Sequence, residues 1–298
     1  MTKTVAVVGL GKMGWALAER LLDQGIEPVV WNRTHKDLAP LTSKGARVVA
    51  SPNEVWSSTD VAITFVSNDD ALREVCNGNA GLGAPGASGR TVIDMSTVSP
   101  HASAEVGARL QAAGIGFLRS PVSGNPGVLA AGNLTLMVSG PNNSYSACDE
   151  LLHQIGANVF YLGEGETSRV VKLAINALLA ATTAAVAETI VLCEAAGLDR
   201  SRYLEVLSES SVGSPFVKYK RPPLEARDYN ATFTTDMLSK DLGLAEQLAK
   251  EYSIPMPTTN AVHALIKSTS DYGLGGLDFM AMLPYLQHEA HRTPDVEP

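Results

Sequence analysis

Residues 4–34 read TVAVVGLGKMGWALAERLLDQGIEPVVWNRT. A run of mostly β-branched residues, Val5 to Val8, leads into Gly9-Leu10-Gly11-Lys12-Met13-Gly14. A helical stretch follows, and a second apolar run ends at Trp31. A lone glycine triplet of this spacing says little. One that leaves an apolar strand, opens a helix and returns to a strand within about 30 residues predicts a dinucleotide-binding βαβ unit. Val5–Val8 reads as a buried parallel strand. Gly9 makes the tight turn, Gly11 lets a pyrophosphate approach the backbone, and Gly14 lets the helix pack closely on the strand. The helix opening at Lys12 offers N–H groups and the positive end of its dipole to the phosphates. Leu10, Lys12 and Met13 therefore join the three glycines as candidate cofactor contacts. Met13, Leu17 and Leu21 fall four apart and give the helix one face for the sheet.

The second strand ends in Asn32-Arg33-Thr34. An NAD site usually has an acid here for the ribose 2′-hydroxyl, whereas a nearby Arg accommodates a 2′-phosphate. No acid stands at this tip. Asn32 and Thr34 offer donors, and Arg33 pairs with phosphate and stacks on adenine. The expected cofactor is NADP (NADPH), with NAD as the second choice.

The chain has 298 residues, 45% of them apolar and 18% charged, which allows two domains and a large core. A net charge of −8 argues against nucleic acid or an anionic membrane as partner. Three scattered cysteines, Cys76, Cys148 and Cys193, suit a reducing compartment. With a strand starting by Thr4 and no leader ahead of it, the expected location is cytoplasmic. The uncharged stretch Leu173–Ala187 is rich in Ala and Thr and reads as a buried helix, not a membrane span. His288 and His291 lack a third ligand in the sequence, so no metal is expected.

Strand candidates at Arg47–Ala50, Val61–Val66, Thr91–Met95, Gly116–Leu118, Leu134–Val138 and Asn158–Tyr161 alternate with helical stretches near Asp69–Cys76, His101–Ala113 and Tyr145–Gln154. This pattern predicts a mostly parallel sheet with helices on both faces. From about Thr167 no strand signal returns. Thr167 to Ala196 lacks Pro and Gly, and Gly197 closes it as a C-cap. Shorter helices follow near Ser201–Ser208, Thr235–Glu251, Thr258–Thr269 and Phe279–Leu286, punctuated by Pro222-Pro223, Pro255 and Pro257. The expected fold is α/β: a doubly wound Rossmann-type domain over residues 1–164, then an all-α domain over 165–298 entered through a long helix.

Lys172 and Asn176 lie four apart near the start of that helix, on one face, in the apolar segment Val-Val-Lys-Leu-Ala-Ile-Asn. Partial desolvation favours a neutral amine, which can exchange a proton near neutral pH. On these residues alone, a lysine snorkelling to solvent is an equal reading.

Further motifs occur in order: Asp94-Met-Ser-Thr97, Pro121-Val-Ser-Gly-Asn-Pro126, Ala131-Gly-Asn-Leu-Thr135, the Lys172/Asn176 pair and Lys240-Asp-Leu-Gly-Leu-Ala245. Together with the glycine turn they resemble the beta-hydroxyacid dehydrogenases, typified by 3-hydroxyisobutyrate dehydrogenase, over nearly the whole chain. The resemblance implies catalysis by Lys172, which exchanges the proton of the substrate hydroxyl, aided by Asn176. It implies that Ser123 and Gly124, with Asn125 beside them, bind a small-molecule carboxylate substrate. It places Ser67, Ser96, Thr97 and Lys240 with the cofactor, Lys240 also serving to lower the pKa of Lys172. Asp241 reads as structural, an ion-pair partner. The implied reaction interconverts a small beta-hydroxy acid and its semialdehyde or keto acid in an NADP-dependent homodimer or homotetramer.

Two departures bear on the substrate: Arg119-Ser120 stands where the family commonly has an acid and Ala, and Asn125 replaces a glycine. An inward Arg119 would add positive charge to the carboxylate pocket. Two other readings stand beside this one, an imine reductase-like enzyme on the same scaffold and a non-catalytic NADP-binding dimer. Imine reductases generally lack the lysine, so the retained Lys172 and the Pro121–Gly124 loop argue against the first, and the complete Ser123/Lys172/Asn176 set argues against the second.

Overall fold

The computed structural model describes residues 4–298. It divides into two compact units that meet between Leu173 and Ala174. The first unit begins β1 (Thr4–Val8), α1 (Lys12–Asp23), β2 (Glu27–Trp31), α2 (Ala39–Thr42), β3 (Arg47–Val48) and β4 (Val61–Thr64). It continues α3 (Asp69–Asn77), β5 (Thr91–Asp94), α4 (Pro100–Ala112) and β6 (Gly116–Arg119). These strands form one six-stranded parallel sheet in the order β3-β2-β1-β4-β5-β6, the doubly wound order. Successive side chains of a strand face opposite ways. Val5 and Val7 accordingly enter one core cluster, and Ala6 and Val8 the cluster on the other face. Both faces are buried, which is why the strand reads as an unbroken apolar run.

The chain then forms β7 (Val122–Ser123), α5 (Pro126–Ala130), β8 (Thr135–Val138), α6 (Asn142–Ile155) and β9 (Asn158–Tyr161). The strands expected at Leu134–Val138 and Asn158–Tyr161 are present, but they build a separate three-stranded sheet, β7-β8-β9. In it β7 runs antiparallel to β8. Pro121, which has no N–H to give a ladder, separates β6 from β7.

Helix α7 (Thr167–Ala195) is 29 residues long. The unit boundary falls inside it, nine residues beyond the expected 164/165, because its first turn is fastened to the first unit. Ser168 Oγ donates to the carbonyl of Arg119 at 3.2 Å and lies 2.8 Å from Ser139 Oγ. Among the described residues α7 is the one helix long and apolar enough to cross a membrane by length and composition. Ala177, Ala180, Ala184, Ala187 and Ile190 are nonetheless buried in the core of the second unit, as in the core helix of a globular domain.

That unit adds α8 (Arg200–Glu209), α9 (Pro215–Glu225), α10 (Thr235–Glu251), α11 (Pro257–Thr269) and α12 (Met282–Glu289). The prolines at 222 and 223 were expected to punctuate helices, yet they lie inside α9. They fall in its last turn, and each lacks the N–H that would bond to the carbonyl four residues earlier, so packing has to hold the helix there. Buried Val217 and Leu224, and the 2.7 Å pair of Lys220 with Asp278, hold that helix in place.

Candidate active site

The three glycines of the turn differ in what a side chain would meet. Gly9 has φ +98°, and a Cβ there would stand 2.2 Å from the carbonyl oxygen of Phe65. A Cβ on Gly14 would stand 1.9 Å from the carbonyl oxygen of Gly9. Both glycines are demanded by the fold itself. A Cβ on Gly11 would meet nothing within 4 Å. Gly11 is also the N-cap of α1, with no side chain capping the helix. The first-turn N–H groups of α1, from Lys12 onward, therefore point past an open surface that only glycine leaves bare. This fits a pyrophosphate laid on the backbone.

Asn32 and Leu10 serve the turn differently from expectation. Asn32 Oδ1 accepts the N–H of Leu10 at 2.9 Å, and its Nδ2 donates to the carbonyl of Thr34 at 2.8 Å. Leu10 itself is 1% exposed. These two residues brace the turn against the tip of β2, using the Leu10 N–H and one of the two Asn32 amide N–H groups. Arg33 and Thr34 are exposed at that tip, and Met13 is half-buried against the core. Lys36 was not singled out from the sequence. Its Nζ donates to the carbonyl of Leu10 at 3.2 Å and lies 4.4 Å from the centre of the Trp15 ring. The Asn-Arg-Thr tip followed two residues later by a lysine was the available signal.

At the carboxyl end of β5, Asp94 is fully buried. Its Oδ1 accepts from Thr64 Oγ1 at 2.5 Å and from Ser96 Oγ at 2.6 Å. Ser96 Oγ also accepts the N–H of Val66 at 2.8 Å. The Ser96 hydroxyl thus points inward and ties the β4 and β5 ends together, instead of reaching toward a ligand. Thr97 is half-buried and Ser67 exposed at these same strand ends. Arg169, from the first turn of α7, pairs with Asp94 Oδ2. Lys172 follows one turn later and is half-buried.

Ser123 ends β7, half-buried and paired across the ladder with Thr135. Gly124 has φ +136°, and a Cβ there would meet Leu134 at 2.6 Å. Asn125 Oδ1 accepts the N–H of Val128 at 3.0 Å and caps α5. Arg119 turns away from any carboxylate-binding role. Its Nε donates to Glu166 Oε1 at 2.7 Å, and its guanidinium lies 4.6 Å from the centre of the Phe117 ring.

The second unit brings Asn176, Asp241 and Lys240 together. Asn176 Nδ2 donates to Asp241 Oδ2 at 2.6 Å, and Lys240 Nζ stands 3.0 Å from Asp241 Oδ1. Asp241 and Asn176 are 1% and 2% exposed. Asp241 is thus the structural ion-pair partner expected from sequence, and it also orients the Asn176 amide.

A doubly wound parallel sheet with this glycine turn, followed by a helical unit, is the architecture of a dinucleotide-binding protein. Residues 4–163 match the model of the NAD-binding domain of 6-phosphogluconate dehydrogenase. Residues 163–286 match the NAD-binding model of NADP-dependent 3-hydroxyisobutyrate dehydrogenase. The chain is 30% identical to a chloroplastic glyoxylate/succinic semialdehyde reductase of Arabidopsis thaliana over 96% of its length and 80% of the relative's. It is 32% identical to an L-threonate dehydrogenase of Cupriavidus necator over 95% and 96% of the two chains. The crystal structure of a Salmonella typhimurium 3-hydroxyisobutyrate dehydrogenase superposes with a TM-score of 0.86 at 26% identity, over 95% and 99% of the two chains. The chain belongs to the beta-hydroxyacid dehydrogenase family. It is an oxidoreductase of hydroxy acids that uses NAD or NADP.

Proposed function

We propose that the protein interconverts a small beta-hydroxy acid and its semialdehyde or keto acid with NADP, Lys172 acting as general acid and base. The observation that carries this reading is that Lys172 belongs to the dinucleotide-binding unit, together with the glycine turn, the β5 end and the Ser123–Gly124 loop. In the oxidising direction the neutral amine takes the hydroxyl proton as the carbonyl forms. In the reducing direction the ammonium returns it to the carbonyl oxygen. The nicotinamide supplies or accepts the hydride. Ser123 and the Gly124 backbone bind the substrate carboxylate. Asn176, four residues beyond Lys172 on α7, has its amide set by Asp241, with Lys240 beside that carboxylate.

The preference for NADP rests on exposed Arg33 and on Lys36 beside the glycine turn, with no acid at the tip of β2. An NADPH pool favours reduction of an aldehyde. A homodimer or homotetramer fits the exposed apolar face of α7, where Leu178 and Leu192 are 69% and 67% exposed.

The test is Lys172→Ala against a panel of hydroxy-acid and aldehyde pairs with NADPH. Loss of positioned acid–base catalysis lowers kcat roughly 10²–10⁴-fold while the cofactor still binds. Near-normal turnover in the variant refutes the assignment. Turnover of cyclic imines without hydroxy-acid activity selects the imine-reducing alternative.

A further inference from the structure

Arg169 is the largest side chain among those fully buried, at 1% exposed, and its partner Asp94 is 0% exposed. Its guanidinium makes three different contacts. One N–H pairs with Asp94 on β5, Nη1 donates to the carbonyl of Ser96 at 2.6 Å, and Nε donates to Ser103 Oγ on α4 at 3.2 Å. A strand, the loop after it and a helix are thereby fixed to the first turn of α7 by one planar group. Asp94 is saturated in turn by Thr64 and Ser96.

A buried ion pair is a poor way to gain stability, because apolar residues of similar volume serve as well or better. What an arginine adds is geometry, since its rigid fork sets direction as well as distance. Three residues on, about 4.5 Å along the helix axis at 1.5 Å per residue, comes Lys172. The element that Arg169 grips is the β5 end, and ligands of doubly wound sheets bind outside the carboxyl ends of the strands.

We infer that Arg169, locked by Asp94, is a positioning residue that fixes the depth and rotation of Lys172 relative to the β5 end. The inference rests on the proposed role of Lys172 and deepens it. Arg169 touches neither substrate nor cofactor. It acts by denying the lysine's helical turn the freedom to roll on the sheet.

Two variants test this, Arg169→Lys, which keeps the charge and loses the fork, and the charge-free pair Arg169→Gln with Asp94→Asn. Melting temperature, NADPH affinity, kcat and KM across pH, and amide exchange over residues 168–174 are measured on the whole protein. A displaced lysine lowers kcat roughly 10- to 100-fold. The same variants keep KM and NADPH affinity within about threefold and shift the pH profile of kcat. Exchange over 168–174 rises about tenfold while the rest of the sheet stays protected. Folded variants with wild-type kcat and pH profile overturn the inference. Failure of both variants to fold assigns the pair to stability and overturns it equally. Lys172→Ala run alongside separates the two claims. Normal turnover there sinks the lysine assignment itself. Low turnover there with normal turnover in Arg169→Lys sinks only the positioning role.

Discussion

Alanine at Gly11 and alanine at Gly14 have opposite consequences, although the two positions lie three residues apart in one motif. At Gly14 the new Cβ would be 1.9 Å from the carbonyl oxygen of Gly9, which is backbone and cannot swing aside. The helix has to retreat from the strand, and overpacking of this kind costs about 1–3 kcal/mol or more. At Gly11 the Cβ meets nothing within 4 Å, and φ −65° with ψ −169° suits alanine. Reduced entropy of the unfolded chain stabilises by about 0.4–1 kcal/mol. The N-cap preference for Gly over Ala offsets a similar amount, so stability stays within about 1 kcal/mol of wild type. The cofactor experiences the reverse. The methyl at Gly11 occupies the surface on which the pyrophosphate is to lie and lengthens charge-assisted bonds worth about 1.5–3 kcal/mol each. Losing one of them weakens binding roughly 10- to 150-fold. Urea melts of both apo variants and titrations of NADPH fluorescence read the two effects separately. Wild-type NADPH affinity in Gly11→Ala would refute the assignment of this surface to the phosphates. Wild-type stability in Gly14→Ala would refute the close helix–strand contact.

Arg33→Ala with Lys36→Ala should weaken NADPH binding about tenfold or more and leave NADH nearly unchanged. Asn32→Ala should weaken both alike, because its amide braces Leu10 and Thr34; parallel titrations decide, and equal losses in all variants would remove the 2′-phosphate reading. Leu178→Glu with Leu192→Glu should yield monomers in light scattering, since charge on the exposed face of α7 blocks a second copy; an unchanged mass would place the interface elsewhere. Burial alone would raise the Asp295 carboxyl, but hydrogen bonds from Arg200 and Tyr229 and the charges of Arg200 and Arg227 outweigh it and hold the pKa below the usual value. Its stabilising effect is therefore complete above the unfolded value of about 3.9 and is lost as pH falls through the lower folded one. Asp295→Asn should cost about 3 kcal/mol at pH 7, the lower end for breaking a buried pair because Glu194 still faces Arg200, and should flatten the acid limb of the melting temperature. An unaltered acid limb would show that Asp295 does not govern it.

The sequence made the strand–helix alternation of a mostly parallel sheet and the glycine turn legible because periodicity and glycine spacing are local. Val5–Val8 had to be a strand buried on both faces, and the helix after Gly11 had one apolar face. Pairing partners are not local, so β8 and β9 could be found but not assigned to a second sheet. The ion pair that sets the first turn of α7 joins residues 75 apart in sequence. Asp94 stands in a motif that does not point to its partner, and Arg169 reads as one more basic residue before Lys172. Arg119 likewise could be placed beside the substrate loop, but the acid that captures it, Glu166, lies 47 residues on.

The expected ligand contacts sort by a physical rule. A polar side chain at a strand end has two uses, and a buried donor or acceptor must be satisfied within the protein first. Asn32, Ser96 and Asn125 each give an oxygen to a nearby backbone N–H, namely Leu10, Val66 and Val128. They shape loops, so their substitution alters a ligand site through the backbone. Arg33 is exposed at the same tip that Asn32 braces, so its charge is presented by the loop and not consumed in it. The motif positions of this chain therefore mix two kinds of residue that sequence spacing treats alike. Asn32 belongs to the kind that builds the turn and Arg33 to the kind that the turn presents.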